Sequence, residues 1–450
     1  MSETSEQDIL ESPDLLAEAA PLAEPAGPVQ DASRIESLDV LRGFALLGIL
    51  LINILAFGLP YAALSNPGFD LAGGRTADVI AWAATELFAE GAMRALFSML
   101  FGAGVVLFTT GAAAKSRSLH YRRTFFLLLI GLFDAYVLLW LGDILVNYAV
   151  AGAILFWFRN MKARWLYVWA AIFTVLISLV NFASGWSLSA AEKAYQEVQA
   201  SENPEELSEL TREFATVWED FKRDYQPTEE SLEEELEMRR GSYVSAFKWN
   251  VPKTNEMMFM ILPMIMLWDA IAMMLLGMAF YKTGVLQGRR SPRFYLFMSL
   301  AGFAVGFAFN LEEVSGVLAT DFSLLAAFGQ MQWTYHLGRL GLAMGYMGLI
   351  VLICQKGVWT GLRMRLAAVG KMALTNYMMH SVICLFLFTG AGFALIGTMG
   401  RAELYLVVLG IWIFQLILSP IWLRIFQYGP AEWLWRGLTY KTMPPLLRRS

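Results

Sequence analysis

The chain has 450 residues, of which 57% are hydrophobic and only 16% are charged, and its formal net charge is −5. Soluble domains carry a charge on about a quarter of their residues, so this composition excludes an ordinary soluble enzyme, and it gives no strongly basic surface for nucleic acid. It predicts an all-α, polytopic membrane helix bundle of about ten transmembrane helices with a small extracytoplasmic helical insertion.

The first 33 residues form an acidic tail. They carry eight acidic side chains and no Lys or Arg, and they are rich in Ala, Pro and Glu. Such a segment cannot bury enough apolar area to order itself, so we expect a disordered cytoplasmic tail at 1–33. The tail also lacks the basic start of a signal peptide, and the first span, from Asp39, is predicted to be an uncleaved signal anchor.

Apolar runs follow one another along the rest of the chain. A helix needs about 20 mostly apolar residues to cross the hydrocarbon layer. Ten stretches are candidates: 39–58, 92–112, 123–141, 144–158, 165–185, 256–281, 294–311, 333–353, 372–390 and 402–423. They divide into a first membrane half at 34–186 and a second at 251–450, each with about five spans.

Basic residues fall almost entirely in every second loop between these runs. The basic groups are Lys115 to Arg123, Arg159 to Arg164, Lys282 to Arg293, Lys356 to Lys371 and Arg424 to Arg449. Basic loops stay in the cytoplasm. The pattern therefore predicts a protein of the bacterial inner membrane with both termini in the cytoplasm and the lipid bilayer as its main partner.

Two segments outside the spans have a pattern of their own. Residues 187–250 contain sixteen acidic and seven basic side chains, with apolar residues three or four positions apart from Leu207 to Phe221. This spacing predicts an acidic helical insertion, which the orientation places outside the cytoplasm, as a solvated cap or as a lid over a substrate site. In the preceding outer loop, Thr76 to Glu90 is predicted to be an interfacial helix with Trp82 and Phe88 facing lipid.

His336 and Arg339 start the most informative polar group. They are three residues apart and so share one helix face near the outer surface. The cation keeps the imidazole neutral, which suits a catalytic base. Arg94, Asp143 and Tyr148 are also predicted near the outer surface and could share the site. The alternative is a helix end whose His and Arg meet lipid headgroups.

Ionisable groups inside spans are costly to bury and are functional candidates for that reason. Asp134 and Asp269 lie near the middle of two predicted spans, and His380 follows Asn376 by one helical turn in another. Each could line a functional path, or each could form a structural hydrogen bond with a neighbouring helix.

A second polar group gathers at the cytoplasmic edge. Asp39 and Arg42 open the first span, and Glu432 and Arg436 follow the last. A guanidinium here could hold a phosphate, or the group could be a static clamp of salt bridges. There is no phosphate-binding loop, only three His and two Cys, and no metal-ligand spacing, so no metal site is predicted.

Several stretches resemble one family. They are Arg34–Ile54, which opens the first span, Arg94–Gly104, Gly142–Leu145 followed by Tyr148-Ala149, Gly370–Tyr377 and Gly429–Tyr440. Together they resemble the YeiB-like bacterial membrane proteins, a domain-of-unknown-function (type 418) family. The resemblance runs from residue 34 to the end of the chain.

That family is similar to a transmembrane acyltransferase superfamily, which includes the lysosomal heparan glucosaminide acetyltransferase. The resemblance implies transfer of an acyl or acetyl group from a cytoplasmic thioester such as acetyl-CoA to an envelope sugar, lipid or metabolite. His336, Arg339, Asp143 and His380 would be catalytic, Asp39, Arg42, Glu432 and Arg436 would hold the donor, and Arg94, Tyr148 and Asn376 would hold the acceptor. The heparan enzyme has its catalytic His after the first span, whereas the loop 60–91 here has none.

Other functions stay open at this point. A transporter or flippase for a small molecule or lipid would use Asp134, Asp269 and His380 along a path, with or without proton coupling. A membrane scaffold would use the acidic insertion for docking. The acceptor is expected to be a small molecule or lipid and not a nucleic acid, and the chain could also pair as a homodimer.

The predicted orientation can be tested by labelling. Ser201→Cys and Ser450→Cys are introduced singly into a chain whose Cys354 and Cys384 are replaced by Ala, and spheroplasts are treated with a membrane-impermeant maleimide. Because basic loops remain inside, we expect labelling at 201 and none at 450 until the membrane is permeabilised. Labelling at 450 alone would reverse the orientation.

Overall fold

The computed structural model describes residues 36–71, 74–110 and 116–448. The acidic tail 1–33 and the last residue, Ser450, lie outside these ranges. Within them no β-strand forms, which confirms the all-α fold class. The α-helices in chain order are α1 (Glu36–Gly58), α2 (Tyr61–Ser65), α3 (Gly68–Leu71), α4 (Thr76–Phe88), α5 (Ala92–Thr109), α6 (Arg117–Tyr136), α7 (Ile144–Leu155), α8 (Ala163–Ala200), α9 (Glu209–Tyr225), α10 (Glu229–Gly241), α11 (Tyr243–Glu256), α12 (Leu267–Lys282), α13 (Pro292–Ala319), α14 (Met331–Lys356), α15 (Thr360–Lys371), α16 (Ala373–Phe388), α17 (Arg401–Ile425) and α18 (Pro430–Tyr440).

Two π-helical segments interrupt this pattern, Met257–Met266 before α12 and Ala326–Gln330 before α14. The first contains Pro263, which has no N–H group for the regular hydrogen-bond ladder. Single π turns inside helices occur frequently at functional sites. Both segments lead into helices that carry candidate site residues.

Seven helical segments of the described ranges are long and apolar enough to cross a membrane: Glu36–Gly58, Thr76–Thr109, Ala163–Ala200, Tyr243–Lys282, Pro292–Ala319, Thr334–Lys356 and Arg401–Ile425. The pair α15 and α16, bent by 80°, makes an eighth if it counts as one span. The sequence predicted about ten because it also counted α6 and α7 as spans. Helix α6 opens with a basic turn, and α7 has 12 residues and is therefore about 18 Å long, too short for the roughly 30 Å hydrocarbon layer.

The outer faces of α8, α13 and α17 are apolar. Large side chains such as Phe182, Phe297 and Leu406 are exposed along them. An apolar belt of this extent would be unstable in water and is stable in lipid. The chain is therefore a membrane protein.

Close helix crossings hold the centre of the bundle. Helix α1 contacts α5, α14, α15, α16 and α17. Where α5 crosses α12, a methyl group on Gly102 would collide with the carbonyl of Met274, and one on Gly277 would collide with the carbonyl of Met99. The two backbones touch because neither glycine has a side chain, as is common between membrane helices. This contact fixes the distance between α5 and α12, which both contribute to the site below.

The polar segment 187–250 is helical and is tied to the membrane body. Helix α8 continues beyond its apolar part, and Trp218 of α9 packs against Ala191 of α8. From α10, Arg239 pairs with Glu235 at 2.8 Å and donates to the carbonyl of Ala56, 3.1 Å away. The cation thus satisfies carbonyls that the end of α1 leaves without helical partners.

Helix α4 forms where the sequence predicted an interfacial helix, but Trp82 does not face lipid. It is buried and packs edge-on against Phe322, with ring centroids 5.0 Å apart. Val314 and Val317 of α13 complete its pocket. Helix α13 is longer than the predicted span 294–311, and its extension supplies this protein surface. Phe88 is half exposed, in line with the prediction for that residue.

The α5–α12 crossing leads to a prediction with a control on the same helix. Gly102→Ala should destabilise the protein by about 1–3 kcal/mol, since the methyl group meets backbone atoms that cannot repack. Gly104→Ala should be neutral or slightly stabilising, because nothing lies within 4 Å and Ala favours the helix. The melting temperatures of the two variants are compared in detergent, with size-exclusion chromatography as the measure of folded protein. Equal melting temperatures would contradict the described crossing.

Candidate functional site

A cavity of about 90 Å³ lies inside the bundle between α5, α7, α8, α12 and α14. Its polar lining residues are Arg94, Ser98, Asn147, Tyr148, Asn181, Asp269, Tyr335 and His336. Polar groups are costly inside a membrane and usually have a functional reason when they cluster. This cavity, which we call the central cavity, is the candidate functional site.

An ion pair joins the two helices on one side of the central cavity. Arg339 of α14 donates through Nη1 to Oδ2 of Asp269 on α12 at 2.8 Å, and through Nη2 to Oδ1. The paired geometry is the strong, bidentate form. Arg339 is buried and the Asp269 side chain is only 14% exposed, so each charge depends on the other for its stability.

His336 is held at both ring nitrogens. Nη2 of Arg339 lies 2.6 Å from Nδ1, and the side-chain amide of Asn181 lies 3.0 Å from Nε2. A guanidinium can only donate, so Nδ1 must accept, and a neutral imidazole then carries its proton on Nε2. The atom of Asn181 placed toward Nε2 is the amide nitrogen Nδ2. The two ends of an amide are nearly isosteric, and exchanging them lets the amide oxygen accept from Nε2–H. In this arrangement Nε2–H donates to Asn181 at the cavity wall, and a ligand that displaces the amide would receive that hydrogen bond.

A rearrangement would change that role. Oδ1 of Asp269 is 3.9 Å from Nδ1 of His336, too far for a hydrogen bond. If the guanidinium of Arg339 moved away, Asp269 could accept a proton from Nδ1 and leave Nε2 free as a base. The site can thus hold the imidazole as a donor or, after a small shift, as a base.

Arg94 supplies a second cation from α5. Its Nη2 donates to the hydroxyl of Tyr335 at 2.6 Å, and that hydroxyl donates to Glu90 at 3.1 Å. Its Nε is buried and has no hydrogen-bond partner in the part of the chain that the structure describes. Between them Gly91 has φ 64°, and a Cβ there would lie 2.7 Å from the Tyr335 hydroxyl. Only glycine allows this approach. Nε of Arg94 then remains in the buried wall as an unused donor.

Tyr148 separates the central cavity from a second one. Its hydroxyl lies 2.6 Å from Oγ of Ser98, and its ring contacts Phe101 at 5.1 Å between centroids. Phe101 lines a smaller cavity of about 20 Å³ with His120, Arg123 and Trp435. We call this the basic-edge cavity. Ser98 and Val105, one from each lining, are seven residues apart on α5, or about 10 Å.

Three arginines approach one another at the basic edge. Arg42 forms a 3.0 Å ion pair with Asp39, as its spacing predicted, and Arg436 lies over the ring of Tyr428. Arg123, which the sequence did not single out, sits between Phe108 and Trp435 and is close enough to Arg42 and Arg436 for their charges to repel. Such a group suits an anion.

Glu432 has a different position from the one expected for a donor-binding residue. It accepts hydrogen bonds from the backbone N–H groups of Leu374 at 2.6 Å and Thr375 at 3.1 Å, and from the Thr375 hydroxyl. It therefore caps the start of α16. Burial raises the pKa of Glu432, although these hydrogen bonds favour its ionised form.

The remaining predicted residues form two further polar groups that do not line the central cavity. Asp143 caps α7 through Val146 at 2.8 Å and lies beside Asp134 of α6. His380 bonds Gln415 at 3.0 Å through Nε2, and Asn376 donates to Ser419 at 3.0 Å. The His380–Gln415 and Asn376–Ser419 contacts join α16 to α17. This is the hydrogen bond to a neighbouring helix that the sequence analysis gave as the alternative to a functional path.

Sequence reasoning missed several lining residues, namely Ser98, Asn147, Asn181 and Tyr335. Asn181 had a usable signal, because it is an amide within the apolar helix α8. Ser98 lies in the stretch Arg94–Gly104 that carried the family resemblance. Asn147 and Tyr335 each adjoin a residue that was singled out, Tyr148 and His336.

Comparison with known proteins gives the family. The chain is 30% identical over 420 residues to YeiB of Escherichia coli (strain K12), covering 92% of this chain and 98% of that protein. The chain belongs to the YeiB family. YxaH of Bacillus subtilis (strain 168) is 29% identical over 433 residues, 94% of this chain and 98% of YxaH. A family model described as "Protein of unknown function (DUF418)" matches residues 280–442. No solved structure matches the chain.

The ion pair between Asp269 and Arg339 beside the central cavity gives a prediction. Asp269→Asn and Arg339→Gln should each destabilise the protein by about 3–5 kcal/mol, because each leaves one buried charge without a partner. The double variant should recover part of this loss, since it removes both charges together. Unfolding in detergent measures the coupling, and strictly additive losses would mean that the two groups do not pair.

Proposed function

We propose that this protein is a membrane acyltransferase that moves a short acyl group, such as acetyl, from a cytoplasmic thioester to an envelope sugar, lipid or metabolite. The observation that carries the proposal is the central cavity, where hydrogen-bond donors converge inside the membrane. The family resemblance to transmembrane acyltransferases supports the same reaction class.

The donors suit a reaction that develops negative charge on oxygen. Attack on a thioester carbonyl gives a tetrahedral oxyanion, and preorganised donors in a dry site stabilise it strongly. Arg94 offers its Nε, which has no partner among the described residues, and His336 would offer Nε2–H once the substrate displaces the Asn181 amide. At about 90 Å³ the cavity has room for a two-carbon acyl group but not for a long chain.

The basic edge suits the other end of the donor. Acyl-CoA carries phosphates on a long flexible pantetheine arm, and guanidinium groups bind phosphate through paired hydrogen bonds. The Arg42, Arg123 and Arg436 group would hold the phosphates. The arm would then pass the Phe101–Tyr148 ring pair, which separates the two cavities. On this route the linings of the two cavities are about 10 Å apart along α5, which is the distance that the arm must bridge.

The proton balance of the reaction is simple. The acceptor oxygen or nitrogen forms a bond to the acyl carbon, the carbon–sulfur bond breaks, and the acceptor's proton ends on the thiol of the donor. His336 can stabilise the oxyanion as a donor, or it can carry the acceptor's proton if Arg339 releases Nδ1 and Asp269 accepts from it. These two roles predict different mutational results.

The test uses three variants assayed with labelled acetyl-CoA in detergent. His336→Ala should lower transfer or hydrolysis by about 10²–10³-fold, because it removes one oxyanion donor. His336→Gln retains an N–H donor and should keep more activity, whereas equal losses would assign His336 as the base. His380→Gln is the control, since it changes an equally buried imidazole away from the cavity and should be tolerated.

The activities of the His336 and His380 variants decide where the chemistry takes place. Full activity in His336→Ala, with an unchanged melting temperature, would remove the central cavity from the mechanism. Loss of activity in His380→Gln would move the chemistry to the α16–α17 interface. A transporter would turn over no acetyl-CoA in detergent and would instead move an intact molecule across a sealed vesicle.

A further inference from the structure

A second buried acidic group lies beside the central cavity. Asp134 of α6 is fully buried, and neither of its carboxyl oxygens has a hydrogen-bond partner among the described residues. Asp143, next to it, uses Oδ2 to cap α7, and its Oδ1 has no partner in the same part of the chain. The helices meet closely here, because a Cβ on Gly131 would lie 2.8 Å from Oδ2 of Asp143.

The surroundings offer this pair few donors. From α16, Tyr377 and Ser381 face the two carboxyls. The Tyr377 hydroxyl accepts from Nε1 of Trp140 at 2.8 Å and from the Ile144 N–H at 3.1 Å, so its own hydrogen remains for a carboxyl oxygen. The groups that act on the pair are therefore hydroxyls and backbone N–H groups, in contrast to Asp269 with its guanidinium.

Two adjacent carboxylates without a cation cannot both be ionised in an apolar interior. Asp143 has the Val146 N–H and the Tyr377 hydroxyl to stabilise a negative charge, whereas Asp134 faces the Ser381 hydroxyl and, among the described residues, no backbone donor. A proton on Asp134 would remove its charge and would give it an O–H group that Oδ1 of Asp143 can accept. One proton thus satisfies oxygens on both residues.

We propose that Asp134 and Asp143 form an acid pair that binds one proton inside the membrane. The site lies at the wall of the central cavity, because Ile144, the residue after Asp143, lines that cavity, as do Asn147 and Tyr148 on the next turn of α7. The proton is therefore bound beside the central cavity, whose lining includes neither carboxyl. This inference does not depend on acyl transfer and would hold equally for a transporter.

Infrared spectroscopy tests the proton directly. A protonated carboxyl has a C=O stretching band that ionised carboxylates lack, and the band shifts in D₂O. At neutral pH, Asp134→Asn should remove the amplitude of one carboxyl relative to the unsubstituted protein, while its amide N–H still serves Asp143. The double variant Asp134→Asn/Asp143→Asn should remove no more, because the pair shares one proton.

Asp220→Asn is the control, and it should remove no protonated band because Asp220 lies on the surface of α9 and is paired with Arg223. An unchanged band in Asp134→Asn would show that both carboxyls are ionised and would overturn the proposal. Loss of two carboxyls in the double variant would show separate protons and would also overturn it. The unsubstituted protein can also be measured in potassium and in sodium buffer. Disappearance of its protonated-carboxyl band in sodium would assign the site to a metal cation and would overturn the proposal.

Discussion

The structure depends first on the rule that a charge inside a membrane needs a partner. Asp269 and Arg339 meet this rule by joining α12 to α14 with two parallel hydrogen bonds. The ion pair also has a chemical consequence. The same guanidinium reaches Nδ1 of His336 and thereby decides which ring nitrogen carries the proton. The ion pair therefore sets both the helix packing and the character of the imidazole.

Close backbone contact then brings the functional helices together. The glycines at the α5–α12 crossing allow the two backbones to touch, and this places Arg94 and Ser98 opposite Asp269 around one cavity. Further along α5, Phe101 packs against Tyr148 of α7, and the two rings form a thin aromatic wall before the basic edge. A donor with an anionic head and a long arm fits this arrangement, since its two ends need different environments.

Three aspartates illustrate how surroundings decide the role of one residue type. Asp269 faces a guanidinium and holds a helix pair together. Asp143 faces the start of α7 and serves as a cap. Within the described ranges Asp134 has neither a cation nor a backbone donor beside it, and the proposed acid pair places its proton there. Their positions in the sequence, each within or beside an apolar run, do not distinguish these roles.

The sequence by itself determined the membrane class, the all-α fold and most of the spans, such as α1, α8, α14 and α17, because the length of an apolar run is a local property that a bilayer selects directly. It also selected Arg94, Tyr148, Asp269, His336 and Arg339 as unusual polar residues in such runs. Only the tertiary structure decided that these five meet at one site while Asp143 turns to Asp134 and Glu432 caps α16. The reason is physical: Asp269 and Arg339 are separated by 70 residues, and which faces of two helices meet is fixed by their packing and not by the period of either sequence.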